Sequence, residues 1–166
     1  MRISIRGPNT KISKKELRFA TEFMTGLLLS KRMMDNLYVE VYSHPNMARE
    51  CGHEKFADCV WLDEDVRPRE FRIRLNAKRS KRVQLLSLAH ELVHVKQMAL
   101  NEMRSVFKRK PEHTVHHVKW KTEFVHSKET HYFDLPWEIE AHGREYGMYA
   151  RYMDHKAEHK IKFKNP

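Results

Sequence analysis

The chain has 166 residues, 40% apolar and 33% charged, enough for one soluble globular domain with a single buried core. Its longest apolar run near the start, residues 23–29, is interrupted by Thr25 and Gly26 and is too short to span a bilayer. Lys31 and Arg32 follow that run where a cleavage site would stand, and two cysteines, Cys51 and Cys59, make no disulfide framework, so the expectation is a cytoplasmic, non-membrane protein.

Thirty-two Lys and Arg against 22 Asp and Glu leave a net charge of +10. The excess is clumped in the second half, at Lys78, Arg79, Lys81 and Arg82, at 108–110, and at Lys156, Lys160, Lys162 and Lys164. Clumps of this kind suit a solvated surface, and they also suit contact with nucleic-acid phosphates.

After a short N-terminal arm, Leu17, Ala20, Met24, Leu27 and Leu28 recur at helical spacing and predict one amphipathic helix over 13–34, weakened at Gly26. LYVEVY at 37–42 alternates as a strand and SHPN at 43–46 reads as a turn. Two further strands are expected at 57–62 and 70–75, joined by a hairpin loop at 63–69. In the second, Phe71, Ile73 and Leu75 point one way and Arg72 and Arg74 the other. A helix is expected over 80–100, then an irregular loop to 135, then a helix over 136–153 with Pro136 in its first turn, and a frayed basic tail from about 154. The predicted class is α+β in one domain, 1–166, with a sheet of three or more strands.

Residues 88–97 read LAHELVHVKQ. At 100° per residue His90 and His94 lie about 40° apart with Glu91 beside them, while Leu85, Leu88, Leu92, Val95 and Ala99 form the opposite face. Two imidazoles one turn apart can aim at one zinc ion, with the intervening carboxylate as general base. With 12 histidines in the chain, HExxH can arise from composition alone, and the apolar back of this helix argues against coincidence.

A third ligand is needed. The metzincin pattern would place glycine at 97 and histidine at 100, where the chain has Gln97 and Leu100. PWEIEAHGRE, residues 136–145, offers Glu138, with Ala141 leaving room for close helix approach. Glu140 lies about 200° round the helix from Glu138, so one of the two at most faces the metal. The ordinary alternative for both is a solvated first-turn acid favoured by the helix dipole. His113, His116, His117 and His126 are remoter candidates, and Cys51, His53 and Cys59 could form a second zinc site that lacks a fourth ligand.

These two segments resemble the HExxH and glutamate helices of the gluzincin zinc peptidases. The resemblance spans about 37–153 and implies a minimal zincin: N-terminal helix, small sheet, HExxH helix, loop and C-terminal glutamate helix. It implies zinc held by His90, His94 and Glu138, with His142, where Asp or Asn is more usual, as partner of the zinc histidines. The AHELVHVKQ and PWEIEAHGRE pair is also similar to small phage-encoded HExxH proteins. A second, weaker resemblance makes His142–Tyr146 (HGREY) the third-histidine segment of SprT-like and Spartan-like proteases, which act on proteins bound to DNA.

The function so implied is peptide-bond hydrolysis of a peptide or protein substrate, with Glu91 taking a proton from water. Oxyanion donors are sought among His131, Tyr132, Tyr146 and Tyr149, with Tyr132 and Tyr149 carried forward as catalytic candidates. Strand 70–75 is the expected edge for an extended substrate, with Arg72 and Arg74 favouring acidic peptides or guarding the edge. Trp61, Trp120 and Trp137 read as core or helix anchors. Two other classes fit the same residues: a nucleic-acid-binding protein with a structural zinc, and a catalytically silent zincin that binds a protein partner.

Overall fold

A computed structural model describes residues 1–8, 11–47, 49–50, 53–63, 67–109 and 114–164. Strand β1 (Arg2–Arg6) precedes helices α1 (Lys14–Gly26) and α2 (Lys31–Asp35), followed by strands β2 (Tyr38–His44), β3 (Arg49–Glu50), β4 (His53–Glu54), β5 (Ala57–Trp61) and β6 (Glu70–Asn76). Helix α3 (Lys81–Ala99) leads to β7 (Met103–Arg109), β8 (Thr114–Trp120) and β9 (Glu123–Val125), a 3-10 turn at Tyr132–Asp134, and helix α4 (Pro136–Glu158). The α+β class holds: four α-helices pack with a mixed four-stranded sheet, beside a three-stranded meander and a two-stranded ribbon. No helix among the described residues is long and apolar enough to cross a membrane.

The main sheet runs β1-β2-β6-β5, with β1, β2 and β6 parallel and β5 antiparallel. Val39 and Val41 of β2 and Phe71, Ile73 and Leu75 of β6 turn one face to the core. There they join Leu85, Leu88, Leu92 and Val95 of α3 and Leu17, Ala20 and Met24 of α1. Burying each large apolar side chain contributes about 1.5–3 kcal/mol, so the apolar back of α3 fixes its rotation against the sheet. Ser80 caps α3 by accepting from the Val83 amide at 3.3 Å.

Four expectations are corrected. The 13–34 helix is two: α1 ends at Gly26, and Ser30 recaps the chain as α2 by accepting from the Met33 amide. The N-terminal arm is a strand. It ends at Gly7, whose φ is +95° and where a Cβ would stand 2.3 Å from the Ser43 carbonyl oxygen. Strand β6 is interior, because Arg72 faces Glu40 on β2 and Arg74 faces Asp58 on β5. Both guanidiniums bond those acids, at 2.5 Å for Arg72 Nε to Glu40 Oε1 and 2.6 Å for Arg74 Nε to Asp58 Oδ1, so the alternating arginines are cross-strand partners. The edge strands of the main sheet are β1 and β5.

The irregular stretch after α3 holds the meander β7-β8-β9, in which Trp120 packs against Trp137 of α4 with ring centroids 6.4 Å apart. The tail is also ordered further than expected. Helix α4 runs to Glu158, Lys160 turns the chain with φ of 51°, and the Phe163 ring packs at a tilt against Phe19 of α1, centroids 5.7 Å apart.

Candidate metal centre

Helix α4 runs back along α3. Gln97 at the end of α3 meets Trp137 and Glu140 at the start of α4, while Lys81 at the start of α3 and Lys156 at the end of α4 share Glu16. Ala141, fully buried, lets the helices close, and this brings Glu138 over the turn of His90 and His94. The nitrogen Nε2 of His94 lies 3.1 Å from Nε2 of His90, Glu138 Oε2 is 3.2 Å from His90 Nε2, and Glu138 Oε1 is 3.5 Å from His94 Nε2.

The outer edges of both rings decide what those inner nitrogens carry. Gln97 Nε2 donates to the Trp137 carbonyl at 3.0 Å and to Glu140 at 3.1 Å, so its Oε1 faces His94 Nδ1 at 2.8 Å as an acceptor. Likewise Glu145 Oε2, an acceptor, sits 2.8 Å from His90 Nδ1. Each histidine therefore keeps its N–H on Nδ1, and the two Nε2 lone pairs converge with a carboxylate. Such a cluster requires a shared proton or a cation. Bonds of about 2.0–2.1 Å in tetrahedral geometry would set ligand atoms about 3.3 Å apart, which is the spacing present. His90, His94 and Glu138, all buried, can thus hold a metal ion.

Metal-free, the site holds protons. Burial opposes charging of His90, but the hydrogen bonds to Glu138 and Glu145 outweigh it and lift the ring to about 9. His94 is raised in the same way, burial being outweighed mainly by Glu138. Burial would raise Glu138, yet the two histidines hold it well below the usual carboxylate range. Glu91 is lifted by burial to about 7, with the histidines pulling it back in part. A group raised in the folded state stabilises fully below its unfolded value and loses that contribution as pH rises through the folded one. The metal-free protein should therefore lose on the order of 2–3 kcal/mol as pH climbs from the ordinary histidine value of 6.5 to about 9. Saturating zinc should flatten this slope, because the cation takes the proton's place; thermal unfolding of chelated and zinc-loaded protein across that range measures it, and equal slopes would contradict it.

The other expected residues separate. Tyr132 donates its hydroxyl to Glu138 Oε2 at 2.7 Å. Tyr149 packs against the core, and Tyr146 is exposed and away from the cleft that His131 lines. Glu140 is held by Lys96, Gln97 and Arg144 on the far side of α4. The His142 ring lies tilted against His90 with centroids 4.6 Å apart and groups with His90 and Glu145, not with both His90 and His94. The partner role expected of His142 falls to Glu145 and Gln97. Both were legible in principle: Glu145 is two turns after Glu138 on one face, and Gln97 one turn after His94.

Cys51 and His113 lie outside the described residues, and His116 and His117 lie on β8. Cys59 is a free thiol on β5. Around the centre is a cleft of about 1390 Å³, bordered by β5 through Ala57, Asp58, Cys59 and Trp61 and by Tyr132 and Phe133. Trp61 and Phe133 are 47% and 61% exposed there, so Trp61 is a cleft residue and not a core anchor, while Trp137 is buried as expected. Comparison with protein-family models, curated proteins and solved structures finds no match to this chain.

Proposed function

We propose that the protein is a zinc-dependent peptidase. The observation that carries this reading is the convergence of two imidazole lone pairs and a carboxylate at 3.1–3.5 Å, with a fourth group, Glu91, buried beside them on the same helix. The likeness of HELVH and PWEIEAH to the gluzincin helices supports it. Zinc in that set would supply Lewis acidity to a carbonyl and acidify a water.

The chain's own residues do the rest. Glu91, held near neutral in the metal-free site, accepts the proton from the attacking water and passes it to the leaving amine. The Tyr132 hydroxyl, kept protonated by burial and by Glu138, donates to Glu138 in this state and would serve a developing oxyanion only by turning away from that carboxylate. Glu145 and Gln97 fix the tautomer and aim of the two histidines. The free edge of β5 offers backbone groups to an extended peptide beside Glu91, by strand addition.

Metal analysis by mass spectrometry, combined with a peptide-library digest, tests the proposal. Wild type should carry about one zinc and cleave. Glu138→Gln should weaken zinc binding by more than the roughly 10–100-fold that loss of an outer partner costs. Undiminished zinc in Glu138→Gln would remove this ligand assignment. Bound zinc without cleavage, together with unfolding on chelation, would favour a structural metal.

A further inference from the structure

Three helix ends meet at the pole farthest along α3 from Gln97: the start of α1, the start of α3 and the end of α4. Glu16 joins them. Only 1% exposed, it accepts from Lys81 Nζ and Lys156 Nζ at 2.6 Å each and from the Tyr152 hydroxyl at 3.2 Å. This carboxylate is used up inside and does not neutralise the surface above it. That surface carries the exposed side chains of Lys14, Lys15, Arg82, Lys160, Lys162 and Lys164.

Two features hold the charge together. The Ile161 amide donates to the Lys156 carbonyl at 2.9 Å and the Phe163 ring packs against Phe19, which lays the tail lysines beside α1. The acids of α4, Asp154 and Glu158, each stand two residues from Lys156, about 200° round the helix, and so face away. The cations come from three separate segments, and none of these six side chains lines the cleft around the metal centre. This arrangement suits a line of charges, and a nucleic-acid duplex presents one charge per roughly 1.7 Å of axis. An anionic lipid surface is a poorer fit, because Met153 is the one large apolar side chain exposed near these ends among the described residues.

We propose that the pole formed by the starts of α1 and α3 and the folded-back tail binds the phosphate backbone of nucleic acid without reading its sequence. The proposal is independent of the peptidase reading, since none of its residues touches the metal centre.

Fluorescence anisotropy of the zinc-loaded full chain with labelled 20-base single-stranded and 20-base-pair double-stranded DNA tests it at about 50 mM and about 200 mM salt. Wild type should bind, with log affinity falling linearly in log salt. K160E/K162E/K164E and, separately, K14E/K15E should each weaken binding at least about tenfold at the lower salt and flatten the slope, with unfolding temperatures near wild type. A control, R104E/K119E on the β7-β8 meander, should bind nearly as wild type. No DNA binding, equal losses in the control, or tighter binding to phosphatidylserine vesicles or polyglutamate than to DNA would each overturn the proposal.

Discussion

Glu91→Gln should abolish peptide cleavage while leaving zinc in place. The substitution keeps the volume and removes only the ability to take a proton, and a positioned general base is worth about 10²–10⁴ in rate, or about 3–5 kcal/mol of barrier. The three ligand atoms belong to other side chains, so zinc content measured beside the residual kcat should stay near one per chain. On the proposed reading the effect falls on kcat more than on KM, because a general base there would act on the water and not on the peptide's side chains. Cleavage within a few-fold of wild type would withdraw the base assignment, and loss of zinc would mean that Glu91 supports the ligands more than it serves the reaction.

The second large effect concerns folding. Removing Glu16 by Glu16→Ala strands two lysines that now share one buried carboxylate, and breaking a buried ionic group from one side costs about 3–5 kcal/mol. Lys81, 35% exposed at its side chain, can turn to water, whereas Lys156 at 14% is more confined, which puts the loss toward the lower end of that range. At about 2–4 °C per kcal/mol for a chain of this size, a loss near 3 kcal/mol should lower the unfolding midpoint by about 6–12 °C. Burial would raise the Glu16 carboxyl, but Lys156 and Lys81 outweigh it and hold it low. Its contribution is thus complete above the ordinary carboxylate value and is lost as pH falls through the depressed one. The gap between wild type and Glu16→Ala should accordingly close in acid. A variant within about 1 kcal/mol of wild type at neutral pH would show the bridge to be dispensable.

The metal-capable turn was legible because both of its parts obey one local rule. His90 and His94 are one turn apart, Leu85, Leu88, Leu92 and Val95 mark the opposite side of the same helix, and Glu138 with Ala141 repeats the spacing on the second helix. The 3.6-residue period carries that information within a few neighbouring positions. It also rejects Glu140, whose 200° offset puts it with Lys96 and Arg144.

What the sequence could not determine is which distant segments become neighbours. β6 reads as an edge because its arginines alternate, and only Glu40 and Asp58 arriving on either side turn those arginines into interior partners. The β7-β9 meander escaped because its pairing, Arg104 with Lys119 and Met103 with Trp120, is set across strands and leaves no one-sided apolar period along the chain. Gln97 reaches His94 within α3 itself, whereas Glu145 meets His90 only because antiparallel packing of α3 and α4 brings the two helices together. Local periodicity thus determined the helices and their reactive faces, while long-range pairing and helix packing decided the sheet order, the tautomer of each histidine and the gathering of three basic ends, since those depend on contacts between residues far apart in the chain.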